Sequence, residues 1–461
     1  MSDPDHSSTI GIGGALSIGI GGMVGGGFFA TFGLAVVGAR GATWIAFLLG
    51  GLIALITAYS YVRLTLRYPG PGGTVSFVRH GFGIGLLPAS INVLLILSYV
   101  AIMAVYARAL AAYTVQYLPA AQRDLWTYVI ASASIIIIGL VNFAGTRLMQ
   151  RSEAVFNTLK LCVLAVFIGA GLLLGTPDWS RLGPAEWVPW MTIVASGMTV
   201  FLSYEGFELI ANASDRIRDP RWTLPIAFYG SVLAAVAIYV LAVLVAIGHL
   251  PFAAMAAARD FALSAAAAAF MGTFGFTLLT LGAVTASASA VNADFFGAEQ
   301  LPQTLARDDE MSPVFARTRK GKPLASMLLI GVIALLAVNL LDLAALSAAT
   351  SGGFLIVYAA VNVANARLAV ETGSRRWISL LAAVLCVAAL VLMLVQFAAD
   401  PATRGSAWAV LGVVVLAVVH EGVFRLERER LARVAAATAV VSPKPAVAHA
   451  KAPSSPSNTI G

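Results

Sequence analysis

Ser17 to Ala30 reads SIGIGGMVGGGFFA, an uncharged apolar segment with six glycines in its first eleven residues. This composition is a poor one for a helix that has to cross a membrane. Each glycine costs roughly 1 kcal/mol relative to alanine inside a helix, and the run Gly25-Gly26-Gly27 invites the backbone to unwind. Unwound backbone at membrane depth persists only where it is buried in protein or lines a cavity. The stretch is therefore either a face for close helix packing or a broken helix that holds something.

The rest of the chain makes a membrane the setting. Of 461 residues, 59% are hydrophobic and 11% charged, and the mean hydropathy is +0.87. These values exclude a soluble domain of this length and point to an all-α membrane protein. A helix spanning about 30 Å of hydrocarbon needs about 20 residues. Runs suited to this lie near residues 10–37, 42–62, 86–117, 125–143, 154–174, 191–214, 224–248, 266–297, 325–341, 343–368, 378–397 and 407–423. That is twelve transmembrane helices within one domain, 10–425, flanked by a short N-terminus, 1–9, and a tail, 426–461.

The net charge of +7 is explained by topology. With the N-terminus in the cytoplasm, only Arg40, Arg108, Arg123, Arg181, Arg259 and Arg404 of the 29 basic residues fall on the far side, and Lys160 lies within a span. The bias sets both termini in the cytoplasm of a multi-pass plasma (inner) membrane protein. It leaves no nucleic-acid footprint, and lipid is the expected surrounding partner. Arg108 lies far along span 3, where its stem snorkels to the outer interface. The N-terminus lacks a basic n-region, so no cleaved signal peptide is expected. Beyond Arg425 the charge run continues a helix, and after about residue 442 the Pro, Ala and Ser content predicts disorder. Tyr68 to Thr74 is a turn cluster leading into a short amphipathic piece with Arg79 and His80. Ala306 to Pro323 is expected to be an exposed connector. Cys162 and Cys386 lie in apolar runs and offer no disulfide or metal argument. His80, His249 and His420 form no metal spacing or catalytic constellation. No enzyme, metal or organic cofactor is expected, and the sequence sets no oligomeric state.

Spans 1–5 and 6–10, about 10–174 and 191–368, form two halves of opposite direction, with two further helices at 378–397 and 407–423. In inverted-repeat folds the first helix of each half is broken at the midplane, and a pair of interrupted spans in corresponding positions marks the binding site. Span 6 supplies the partner of the glycine run: Phe201-Leu202-Ser203-Tyr204-Glu205-Gly206-Phe207-Glu208 places two carboxylates and a glycine in an apolar segment. Freed N–H groups and the positive ends of half-helices bind anions, while freed carbonyls bind cations. An amino acid presents both charges. Backbone N–H groups around Met23, Val24, Gly25, Gly26 and Gly27 suit its carboxylate, and carbonyls and side chains of Phe201, Leu202, Ser203, Tyr204 and Glu205 face its amino group.

Lys160 sits about seven residues into span 5, or roughly 10 Å at 1.5 Å per residue. A buried ammonium there costs about 2.5 to 3.5 kcal/mol on insertion scales. Such a group either loads and releases a proton or snorkels back to the interface. Glu205 and Glu208 lie on roughly one face of a continuous helix. Intramembrane carboxylates are functional by default, the alternative being protonated carboxyls bonded to the bundle. Asp294 and Glu299, near the end of span 8, are expected at the interface. Ser287 and Ser289 offer hydroxyls to a cation, unless they bond their own backbone.

On GGMVGGGFF in span 1, SYEGFELIANASDRIRDP from Ser203 to Pro220 and LVNFAGTRLMQRSEAVFNTLKLCVLAVF around Lys160, the chain resembles the APC (amino acid-polyamine-organocation) transporters. It is most similar to prokaryotic proton-coupled, broad-specificity members. The resemblance covers about residues 10–425. It implies a LeuT-type 5+5 fold of ten core helices plus two, with a small-molecule site between broken helices 1 and 6. It also implies a helix 5 lysine where sodium-coupled relatives bind sodium. Lys160 matches that lysine, with carbonyls near Gly19 to Gly21 and the hydroxyl of Ser289, or secondly Ser287, as neighbours. Glu208 matches a position linked to proton gating. Leu202 stands where some exchangers carry a gating tryptophan, and Glu205 where the family is mostly neutral. The resemblance thus implies a proton-coupled amino acid symporter working by alternating access, the proton being the coupling ion. An amine, polyamine or monovalent-cation carrier, or an exchanger, is the alternative that Glu205 and Glu208 raise. A non-transporting sensor is the remote one.

Overall fold

The computed structural model describes residues 9–70, 72–144, 147–319 and 322–441. The first eight residues and the tail from 442, with its expected disorder, lie outside the described residues. Within them the chain is helical, with isolated bridges such as Ile10 to Ile217 in place of strands. The helices are α1 (Ile12–Met23), α2 (Gly26–Ala39), α3 (Thr43–Arg67), α4 (Gly73–Phe82), α5 (Leu86–Thr114), α6 (Arg123–Ala144) and α7 (Arg147–Leu173). Then follow α8 (Trp190–Thr199), α9 (Leu209–Asn212), α10 (Pro220–His249), α11 (Phe252–Ala257) and α12 (Ala262–Arg307). The last five are α13 (Leu324–Leu340), α14 (Leu343–Arg367), α15 (Ala369–Thr372), α16 (Arg376–Ala399) and α17 (Arg404–Val441).

Among the described residues nine helices are long and apolar enough to cross a membrane, or eleven if each of two bent pairs is one span. The remaining expected run is α13, whose 17 residues reach about 26 Å at 1.5 Å per residue, short of the roughly 30 Å core.

The two bent pairs are the spans singled out above. α1 and α2 meet at 44°, and α8 meets the stretch Phe201–Asn212 at 49°. The first break is carried by Val24 and Gly25, which leave helical geometry (ψ 58° and −152°). The second falls at Glu205, extended with ψ 146°, and Gly206, whose φ of +115° favours glycine because a Cβ would collide with the backbone. The breaks touch backbone to backbone: a Cβ on Gly22 would stand 2.8 Å from the Gly206 carbonyl oxygen.

Burial, rather than hydropathy, separates centre from rim. α5 and α6 have nearly equal window hydropathies, 2.1 and 2.0, yet 83% of the first window and 22% of the second are buried. The outward residues of α6 and α17, including Leu125, Ile137, Leu140 and Leu416, form an apolar surface far larger than a soluble monomer exposes. Around the centre, Tyr61 packs edge-on against Phe77, Phe207 and Tyr358.

Two expectations are corrected here. α12 does not stop near residue 297 but runs to Arg307 after a kink at Gly272 (φ +63°). Asp294 and Glu299 lie inside this helix, buried in protein at 5% and 2% exposed; the end of an apolar run is not the end of its helix. The connector after α12 is also not simply exposed. Asp308 pairs with Arg79 of α4, Glu310 accepts from Asn92 Nδ2 at 3.1 Å, and Arg428 of α17 donates to the Asp309 carbonyl at 2.8 Å. Its charges are used to tie three elements together.

Candidate functional site

A helix that ends inside a protein leaves its last carbonyls without partners, and the end of α1 shows where they go. Ile20 O accepts from Val24 N at 2.8 Å, and Met23 O accepts from Gly25 N at 2.7 Å. Lys160 Nζ donates to Gly21 O at 2.6 Å. The lysine is 1% exposed, so it does not snorkel; its ammonium sits on the negative pole of the half-helix, where a cation is favoured. The acceptor is Gly21 itself. A Cβ on Gly19 would stand 2.6 Å from Ser231 Oγ of α10 and 2.8 Å from Ile210 Cδ1 of α9.

Met23 O has a second partner that joins the two breaks. The Tyr239 hydroxyl on α10 lies 2.6 Å from Met23 O and 2.9 Å from Ser203 O, and its ring stacks on Phe28 at 4.4 Å. One hydroxyl thus lies between both interrupted spans, its single proton shared between the two carbonyls; Met23 O keeps the Gly25 N–H, so removing the hydroxyl costs Ser203 O this donor, about 1–3 kcal/mol. Tyr239→Phe is expected to lower the thermal-unfolding temperature in detergent by several degrees, and an unchanged midpoint would show that the bridge carries no stability.

The span 6 break is held from other sides as well. Ser351 of α14 donates to Thr199 O and accepts from Leu202 N, each at 3.1 Å. Ser203 Oγ meets Thr31 Oγ1 at 3.0 Å, tying the break to α2. The Tyr204 hydroxyl turns away to Phe47 O at 2.8 Å, which makes it an anchor on α3. Phe201 packs edge-on against Tyr358 at 5.9 Å. Leu202 lies over Gly27, where a Cβ would stand 3.0 Å from its Cδ1.

The carboxylates divide by their hydrogen bonds. Glu208 accepts three: from Tyr99 Oη at 3.1 Å on Oε1, and from Tyr358 Oη and Gly206 N, both at 2.8 Å, on Oε2. Glu205, 2% exposed, leaves Oε1 without a partner, and so does Asp294 with Oδ2. Both line one cavity of about 50 Å³ with Gly21, Gly22, Tyr106 and Ser289. That exceeds the ~15 Å³ needed for a water. Ser287, also unpartnered, stands beside Gly26.

The glycine cradle adjoins this cavity. A Cβ on Gly25 would stand 3.3 Å from Ala290 Cβ and one on Gly26 2.8 Å from Tyr106 Cδ1, and both neighbours line the cavity wall. Gly26, Gly27 and Phe28 open α2, so their N–H groups are among those that a helix start leaves free. This is the geometry of an anion site.

The family model described as Amino acid permease matches residues 10–419. The chain belongs to the amino acid permease family. It is 30% identical over 361 residues to the inner membrane transport protein YbaT of Escherichia coli, covering 78% of this chain and 83% of that one. It is similar, again at 30% identity, to an uncharacterized protein of Methanocaldococcus jannaschii, over 82% of this chain and 87% of the relative. A chloroplastic cationic amino acid transporter 9 of Arabidopsis thaliana is 26% identical over 65% of this chain and 55% of its own. The family and these names mark a multi-pass membrane transporter rather than an enzyme, with a small molecule as its substrate.

Several residues around the two breaks were not singled out in the sequence. Tyr99 and Tyr106 are seven apart on α5 and so share a face, a signal open to reading. Tyr239, Ser351 and Tyr358 carry no local signature, since each acts on a break distant in sequence. Another cavity, of about 400 Å³, lies away from the breaks; Arg108, Asp124, Arg259, Asp260 and Asp342 line it. There Arg108 stacks over Tyr128 at 4.4 Å and donates to Leu341 O at 3.3 Å, so its charge is held by protein.

Proposed function

We propose that this permease is a proton-coupled amino acid symporter working by alternating access, on a LeuT-type 5+5 plan of twelve spans with both termini cytoplasmic. The observation that carries the reading is the 2.6 Å bond from Lys160 Nζ to Gly21 O. A titratable ammonium is thereby coupled to the end of the half-helix whose partner, α2, offers free N–H groups for a substrate carboxylate. Proton and substrate share one broken span, so occupancy of each favours the same closed packing of the breaks. Loss of the proton frees Gly21 O, loosens that packing and lets the substrate leave.

In this reading Met23 to Gly27 cradle the carboxylate and Phe201 to Glu205 face the amino group. Glu208, held by two tyrosines and Gly206 N, fixes the geometry of the second break. The names of the relatives, a transport protein and a cationic amino acid transporter, agree with a substrate of this chemistry. Uptake of a panel of radiolabelled amino acids into proteoliposomes, with and without an acid-outside pH gradient, tests it. Accumulation that needs the gradient and collapses with a protonophore is expected; accumulation indifferent to the gradient would overturn the proton coupling.

A further inference from the structure

Arginines gather at the end of the bundle where α3 stops and α10 and α16 start, and they fall into two groups. Those around the connector after α12 are paired with carboxylates: Arg79 with Asp308, Arg425 with Glu421 and Arg428 with Asp309. Among the described residues, Arg63, Arg67, Arg375 and Arg376 form no ion pair. Aromatic rings organise this second group instead. Arg63 lies 5.5 Å over Tyr59 and Arg67 5.4 Å over Tyr68. The Arg375 N–H donates to the Tyr59 hydroxyl at 2.6 Å, which seats the start of α16 beside Arg63. Tyr229 of α10 lies within electrostatic range of both Tyr59 and Arg63. One carboxylate adjoins the group, Glu371, and it accepts from the Tyr68 hydroxyl at 2.6 Å. The bias of basic residues toward one membrane face accounts for the side on which these arginines lie, but not for their convergence, unpaired, on one surface of three helices.

That surface also faces lipid. On α3, Leu48 and Leu52 are exposed, and Tyr59 and then Arg63 continue the same helix face at spacings of seven and four residues. On α10, Trp222, Ile226 and Leu233 are exposed, with Tyr229 in the same stripe. On α16 the exposed stripe runs from Trp377 through Leu380 and Val384 to Val391. Residues three and four apart share a helix face. Each apolar stripe thus ends in an aromatic ring, the residue type that settles at a membrane interface. A guanidinium offers two parallel N–H bonds to a phosphate, and the stripes offer an apolar surface to acyl chains. We propose that Arg63, Arg67, Arg375 and Arg376 form a headgroup site for an anionic phospholipid, whose acyl chains lie along the outward stripes of α3, α10 and α16. The bound lipid ties α16 to α3 and to α10, the helix whose Tyr239 joins the two breaks. A free phosphate has the charge but makes no use of the stripes.

Thermal unfolding of the full chain in detergent, with phosphatidylglycerol or phosphatidylcholine titrated in, tests the site. Phosphatidylglycerol is expected to raise the wild-type midpoint by several degrees at concentrations where phosphatidylcholine leaves it unchanged. Each arginine beside an anionic headgroup corresponds to about fivefold in affinity, so Arg63→Gln/Arg375→Gln is expected to need roughly 25-fold more lipid for the same shift. Arg376→Gln, a single change at an exposed position, is expected to need about fivefold more, and it carries the test if the double variant fails to fold. Arg317→Gln/Arg319→Gln removes the same charge from exposed positions of the connector and is expected to respond as wild type does. A wild-type midpoint indifferent to headgroup charge would overturn the site, and so would an equal loss of response in the connector variant. Inorganic phosphate reproducing the full shift at matched ionic strength would overturn the lipid as its occupant.

Discussion

Lys160→Ala is expected to abolish gradient-driven uptake, to the level of empty liposomes, a loss of at least about tenfold. Two effects combine. The Gly21 carbonyl loses its cationic donor, and a buried acceptor left unpaired costs about 1–3 kcal/mol; the coupling group itself is also gone. Lys160→Arg separates these effects. Its guanidinium stays protonated at any physiological pH, so it can hold a carbonyl but cannot cycle a proton. The arginine variant is expected to melt within a few degrees of wild type yet fail to accumulate substrate under a pH gradient. Accumulation by either variant at wild-type level would remove Lys160 from the coupling.

Gly206→Ala is expected to disrupt the packing of the two breaks and with it the fold. Its Cβ would stand 2.5 Å from Gly22 C and 2.8 Å from both Gly22 Cα and Met23 N. These are backbone atoms that cannot rotate aside, at a residue with φ +115°. The dihedral alone costs on the order of 1–3 kcal/mol outside glycine, and overpacking adds typically 1–3 kcal/mol more. Together they approach the 5–15 kcal/mol of a whole domain. The variant should express poorly, melt more than about 10 °C below wild type and transport nothing. Gly405→Ala, where a Cβ would meet nothing within 4 Å, is the control. A Gly206→Ala protein with wild-type melting and uptake would mean that the two breaks do not pack as described.

The breaks were legible because their composition is local. Six glycines in eleven residues, and a Glu-Gly pair inside an apolar run, announce unwound backbone wherever the rest of the chain lies. Lys160 was legible for the same reason, as one cation in a span. What each group touches was not. Gly21, within the Gly19 to Gly21 turn that the resemblance implied, accepts from Lys160 because α1 ends at Met23 and its orphan carbonyls lie in the last turn, a boundary that hydropathy does not set. The burial of Asp294 in protein was not legible because α12 continues ten residues past the apolar run, to Arg307. Tyr239 serves both breaks from α10, and no sequence pattern links residues 23, 203 and 239. The pinned connector shows the same gap. Its charges read as solvent-exposed until Arg79, Asn92 and Arg428 are placed beside it.

Proton movement on substrate addition tests the coupling most directly. Proteoliposomes loaded with a pH-sensitive dye, clamped at zero membrane potential and without an imposed pH gradient, are given an external amino acid that the uptake panel shows to be transported. The wild-type lumen should acidify as substrate enters, at a rate that tracks uptake, and lumenal pH should stay flat for Lys160→Arg. Substrate entry into wild-type vesicles with no change in lumenal pH would contradict proton symport.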